Sequence, residues 1–247
     1  MDRNTTRPEP TRRGGDDMQF DFLDIASHEL RAPVSALSGQ VQLMQWRFRK
    51  DTAYAVDISD INKIAYQVER MNNMIDVYLS VTHLAQGRFL VQPTRCDVVA
   101  VARRIVGIYA DGLRSQIIHL ECEEDEIIGM WDRKRLGELL STLLANAIKY
   151  GQDGDVKVSL ATSGGILHTT ISDRGIGVIA NERNRIFEAY TTGSNANDAV
   201  GAGNGLYVAR EIVRLHHGQI GVRARRGSGS IFWFDLPLFP NDSGAVR

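Results

Sequence analysis

The chain has 247 residues, 43% of them hydrophobic and 24% charged, with a formal net charge of −1. That balance describes an ordinary folded protein of one large domain or two smaller ones, and it gives no electrostatic case for nucleic acid as the main partner. No run of about 18 apolar residues is present to span a bilayer, no apolar signal-peptide core opens the chain, and the two cysteines, Cys96 and Cys122, lack metal-type spacing and fit reduced thiols in a cytoplasmic protein.

Residues 1–16, with Arg3, Arg7, Arg12 and Arg13 among Pro and Gly, read as a flexible tail too polar to bury a core. A seven-residue repeat then begins. Leu23, Leu30, Leu37 and Met44 recur at that interval, with Ala26, Val34, Val41 and Phe48 three or four residues later. This two-stripe seam predicts a helix over 17–49. Residues 55–84 carry a second such pattern through Ile58, Ile61, Ala65, Val68, Met71, Ile75, Tyr78 and Leu79. A short polar link around Arg49–Thr52 makes the pair an antiparallel hairpin. One hairpin leaves a wide apolar face bare. Two cover it as a four-helix bundle, so a homodimer through residues 17–85 is expected.

Residues 86–92 read as a linker, marked by Gly87 and ending before Pro93, ahead of a second domain over 93–240 and a tail over 241–247. Asp97 is placed to cap a helix reaching about Ala110. Alternating segments at 117–122, 155–162, 166–173, 219–225 and 230–238 read as strands. Helical patterns lie at 132–150 and 204–216. The mixture lacks strict strand–helix alternation and predicts an α+β sandwich with helices on one face of a mixed sheet. Of His216 and His217, adjacent on a helix and so pointing apart, one is expected at the surface or in a cap.

Four stretches carry chemistry. In ASHELRAPVSAL, residues 26–37, the heptad phase puts His28 on the outer helix face. An exposed imidazole with a pKa of about 6.5 is partly neutral and nucleophilic at neutral pH. Glu29 can take its proton, and Pro33 should bend the helix just beyond. A solvated histidine on a helix face also explains the stretch taken alone. In NAIKY, residues 146–150, Asn146 and Lys149 share a helix face. The first offers an amide oxygen to a hard cation, the second a charge to phosphate; a polar edge on an amphipathic helix explains them as well. DRGIG, residues 173–177, sets an acid at a strand end before two glycines. GAGNGL, residues 201–206, opens a helix with Gly201, Gly203 and Gly205, whose backbone N–H groups could approach an anion. The preceding TTGSNANDAV has the composition of a mobile lid, and no GK[ST] follows to make a P-loop.

In order, these pieces resemble the sensor histidine kinases of two-component systems: SHELRAP the phospho-accepting box, NAIKY the N box, DRGIG and GAGNGL the two glycine boxes, and RIFEAY the F box. The resemblance spans about residues 17–240. It implies a dimerisation and phosphotransfer domain over 17–85 and, over 93–240, a Bergerat-type ATP-binding catalytic domain of the GHKL class shared with Hsp90 and DNA gyrase. It also implies roles: His28 as phosphate acceptor, Glu29 as its general base, Asn146 as the Mg²⁺ ligand, Lys149 on the phosphates and Tyr150 against the nucleotide. Asp173 would accept the adenine amino group, Gly175 and Gly177 would shape that pocket, and Gly201, Gly203 and Gly205 would surround the triphosphate. The implied activity is ATP-dependent autophosphorylation of His28 and transfer to an aspartate on a response regulator receiver domain. A nucleotide-binding dimeric phosphotransfer module without kinase turnover is the alternative. Four departures stand out, one of them the F box, which reads EAY where EPF is common. Ala32 holds a place where the family often has Thr or Asn, which implies weak phosphatase activity. Thr142 stands where an Asn is frequent, and Asn204 where a Leu is usual.

Overall fold

A computed structural model describes residues 16–50, 55–112, 117–152, 154–191, 193–194 and 203–239, with side chains from residue 30 onward. The heptad repeats form α1 (Asp16–Lys50) and α2 (Ile58–Ala85). Asp57 caps α2 by accepting the N–H of Ser59 at 3.2 Å. Arg47 on α1 reaches Asp60 on α2 at 3.5 Å and fixes the hairpin near its link. Pro33 lies inside α1 without ending it. The outer apolar stripe stays bare in the single chain: Val34 is 46% exposed, Phe48 58% and Ile58 66%, and Ile61, Val68, Ile75 and Leu79 continue it along α2. A stripe of that length marks an interaction face.

The second unit is an α+β sandwich. Its main sheet has five strands, β2 (Ile118–Cys122), β4 (Val156–Ser163), β5 (Ile166–Ser172), β6 (Gln219–Ala224) and β7 (Ser230–Pro237), in the order β2-β4-β5-β7-β6. Only β2 and β4 are parallel, so the sheet is mixed. Helices α3 (Val98–Gly112), α4 (Arg133–Tyr150) and α5 (Gly205–Leu215) bury its inner face. Leu167, Thr169 and Ile171 of β5 all point inward and are fully buried, as the period-two pattern requires.

Two strands escape the alternation rule. β1 (Thr94–Asp97) and β3 (Ile128–Trp131) are four residues each and pair antiparallel beside the main sheet. Neither stretch is among the strands expected from the sequence, because four residues hold too little periodicity to read. A side chain at Gly129 would overlap the buried Trp131 ring, whose Nε1 donates to the Pro237 carbonyl at 3.0 Å. Asp97 caps α3 at Val99 and Ala100 and also accepts the N–H of Ile127 at 3.1 Å, which ties helix to strand pair. Of the adjacent histidines, His216 is the cap and is buried: Nδ1 bonds the Ile212 carbonyl at 2.8 Å and Nε2 accepts the Asp132 N–H at 3.0 Å. His217 is exposed.

The hairpin docks on this unit through apolar side chains of α2, among them Val77, Val81 and Leu84, and through a set of polar groups. Arg135 on α4 donates to Ser80 Oγ on α2 at 2.9 Å and to Glu138 Oε2 at 2.7 Å, and Ser80 donates to Glu138 Oε1 at 2.8 Å. Burial pushes the Glu138 carboxyl up from its ordinary value, against the opposing pull of Arg135 and Ser80. The Arg135 guanidinium also covers the ring of Phe89 at 4.2 Å, so the stretch between the helices and the sandwich contributes a core residue. Lys134 meets Asp76 at 2.9 Å, and Thr142 donates to Asn73 at 3.5 Å. From Ser80–Arg135 to Asn73–Thr142 the contacts run back along α2 and forward along α4, so the two helices run antiparallel.

Candidate functional site

A cavity of about 490 Å³ opens between the hairpin and the sandwich, large enough for a nucleotide-sized ligand. One end is built at the end of β5. Asp173 is 3% exposed, and its Oδ1 accepts the N–H groups of Gly175 at 2.8 Å and Ser230 at 3.2 Å. The Asp173 carboxyl lines the cavity. Burial raises the Asp173 pKa, although the two backbone N–H groups and Arg225 favour the anion. The glycines here are steric requirements. A Cβ on Gly175 would run into the Tyr150 carbonyl, one on Gly229 would run into the Asp173 carbonyl, and Gly177 sits at φ 72°. Ile176, Val178 and Phe232 give this end apolar walls. It therefore suits a flat heteroaromatic group with an exocyclic N–H.

The other end is built by α4 and the start of α5. Asn146 and Lys149 both line the cavity. The Lys149 ammonium lies 4.9 Å from the centre of the Tyr150 ring. Gly203 adopts φ 67°, and a Cβ there would come within 2.6 Å of the Thr191 carbonyl. Gly205 opens α5, where a side chain would press on Thr142 at 3.1 Å. Asn204 is buried and its Oδ1 accepts the Tyr190 N–H at 3.0 Å, joining the F-box segment to the base of α5. A helix N-terminus with glycines beside an amide and an ammonium suits a polyphosphate with its cation. The cavity thus brings Asn146, Lys149, Tyr150, Asp173, Gly177, Gly203 and Gly205 onto one lining, with Gly175 directly behind Asp173. Gly201 and most of the stretch 191–200 lie outside the described residues.

His28 and Glu29 belong to α1, but their side chains lie outside the described residues, so the outward position expected for His28 is untested. Ala32, one helical turn along, lines the cavity. The sequence reading missed the wall supplied by the hairpin: Tyr66, Arg70, Asn73 and Met74 of α2 face the same space. It also missed Gly229 and Phe232. The GSGS stretch before β7 was a signal for the glycine; nothing local marked the α2 residues.

Residues 131–240 match the family described as histidine kinase-, DNA gyrase B- and HSP90-like ATPases. The chain is 28% identical over 227 residues to the sensor histidine kinase AruS of Pseudomonas aeruginosa, covering 88% of this chain and 22% of that protein. It is 27% identical over 245 residues to the sensor-like histidine kinase SenX3 of Mycolicibacterium smegmatis, covering 95% and 60%. Among solved structures, the histidine kinase ThkA in complex with the response regulator protein TrrA aligns over 94% of this chain and 65% of that one, with a TM-score of 0.59 at 18% identity. That likeness is one of fold. The chain spans between 18% and 60% of the length of the first curated relatives it matches.

Proposed function

We propose that this chain, which belongs to the sensor histidine kinases with a GHKL-type ATP-binding domain, phosphorylates its own His28 from ATP and passes the phosphoryl group to an aspartate of a response regulator. What carries the reading is the cavity itself. A buried carboxylate and obligatory glycines stand at one end, Asn146, Lys149 and the α5 terminus at the other, and the turn of α1 after His28 forms part of the wall.

Asp173 would accept the adenine amino group on Oδ2, a donor that guanine lacks at that position. Tyr150 and Ile176 would flank the base and ribose. Lys149 and the N–H groups at the start of α5 would hold the phosphates, and Asn146 would ligate Mg²⁺. When bound, the cation neutralises phosphate charge; phosphoryl transfer depends chiefly on such neutralisation and on positioning. In the transfer, an imidazole nitrogen of His28 bonds to the γ-phosphorus, the bond to the β–γ bridging oxygen breaks, and ADP leaves. Glu29 takes the imidazole proton. Docking of two bare stripes on the hairpins would form the homodimer. The Ala32 side chain has no polar atom to orient a water, so hydrolysis of the regulator's aspartyl phosphate, which releases inorganic phosphate, is weak.

Incubation with γ-labelled ATP and Mg²⁺ tests the reading. An acid-labile, alkali-stable label should form and be lost in His28→Gln while nucleotide binding persists. ATP binding without any label would favour the nucleotide-binding module instead. Added chain should not speed the loss of label from the phosphorylated regulator; rapid loss would refute the assignment of Ala32.

A further inference from the structure

The hairpin is more than the carrier of a histidine, since α2 walls the nucleotide cavity along several turns. The contacts fix its register against α4. Ser80 meets Arg135 and Glu138, Asp76 meets Lys134, and Asn73 meets Thr142. Arg70 lies three residues back along α2 from Asn73, about 4.5 Å lower. Asn146 lies four residues forward along α4 from Thr142, about 6 Å in the same direction because the helices are antiparallel. Arg70 is therefore near the level of Asn146, with Lys149 about a turn further along α4, and all three line the cavity. This is the end with the glycines and the α5 terminus.

The Arg70 side chain is also held. Its Nη1 donates to Gln67 Oε1 at 3.5 Å, and the guanidinium lies 5.8 Å from the centre of the Tyr66 ring. Tyr66 is itself braced edge-on against Tyr109 at 5.5 Å, and Tyr109 bonds Ser141 of α4 at 2.9 Å. No carboxylate among the described residues pairs with Arg70. A guanidinium steered by a neighbouring ring, facing a polyphosphate site from the opposite wall, is suited to a two-pronged grip on phosphate oxygens.

We infer that Arg70 of α2 contacts the terminal phosphate of ATP across the cavity, so that the hairpin itself completes the nucleotide site and distinguishes ATP from ADP. The inference rests on the ATP reading above and adds a residue from the other half of the molecule. ATP, but not ADP, then ties the two units together.

Titration of the full chain with the non-hydrolysable analogue AMP-PNP and with ADP, both with Mg²⁺, tests it in wild type, Arg70→Ala, Arg70→Gln and Arg70→Lys. Loss of a charge-assisted contact of this kind weakens AMP-PNP binding by about tenfold or more in Arg70→Ala and Arg70→Gln. ADP affinity should hold, and Arg70→Lys should fall between. An AMP-PNP to ADP affinity ratio equal to that of wild type overturns the inference. Equal weakening of both nucleotides in the Ala and Gln variants also overturns it, since that marks a purely structural role. The kinase reading fails separately: a wild type that binds AMP-PNP in an Arg70-dependent manner yet never labels His28 refutes the kinase and leaves the contact standing. A wild type that binds neither nucleotide removes both.

Discussion

The two halves of the molecule stabilise themselves in opposite ways. In the sandwich, Leu136, Leu143, Leu167 and Phe234 are fully buried between sheet and helices. In the hairpin, Val34, Phe48 and Ile58 keep about half or more of their surface in water. The contacts that join the halves pair a buried polar cluster, Ser80, Arg135 and Glu138, with apolar packing of Tyr66, Val77, Val81 and Leu84 against the sandwich core. The sandwich thus carries its own closed core, while the cavity beside it takes one wall from the hairpin. The hairpin packs its inner stripe on the sandwich and leaves its outer stripe bare, the face on which the proposed homodimer would form.

Substitutions can break this contrast. Phe234→Ala, in the closed core, should cost about 3–5 kcal/mol and melt the sandwich in a thermal scan. Phe48→Ser, on the bare stripe, should leave the sandwich melting unchanged within about 0.5 kcal/mol while raising the concentration at which chains associate in sedimentation. Equal losses from the two would erase the contrast.

The next effect lies at the seam. Ser80→Ala strands Glu138 Oε1 in a buried site, a loss of about 1–3 kcal/mol. Hydrogen exchange should quicken at the C-terminal turns of α2 and the first turn of α4 and stay unchanged in the sheet. Uniform quickening would mean that the seam and the core are one cooperative unit.

The smallest effect is a pH dependence confined to the sandwich. Burial holds the His216 imidazole below its ordinary value, though the Ile212 carbonyl and Asp132 favour the charged ring, and the Asp132 N–H aimed at Nε2 requires that nitrogen unprotonated. The unfolded chain takes up a proton below about pH 6.5 that the folded chain refuses. Stability is therefore complete above that pH and falls as pH drops below it, by no more than about 1.4 kcal/mol per pH unit, until the folded ring titrates. Melts between pH 7.5 and 5.5 should show a flatter profile in His216→Gln. Identical profiles would remove His216 from the account.

How much of this is legible in the chain depends on distance. The hairpin follows from side chains seven apart, and the period-two pattern of β5 put Leu167, Thr169 and Ile171 on the buried side. The pocket glycines stand in short runs whose steric need is local. β1 and β3 are too short to carry a period, and they exist because Asp97 and Trp131 anchor them to distant partners. Tyr66, Arg70 and Asn73 read as an ordinary polar face of a helix. Only the packing of α2 on α4, set by contacts some 55 to 69 positions apart in sequence, turns that face toward the cavity.

The central claim is that the phosphoryl group goes from ATP to one histidine of α1. Brief exposure to Mg²⁺ and ATP, quenching and digestion at alkaline pH, and mass-spectrometric mapping test it most directly. One modified peptide should form, carrying phosphohistidine at His28, and none in an Asn146→Asp chain. A phosphoryl group on any serine, threonine or other histidine, with His28 unmodified, would contradict it.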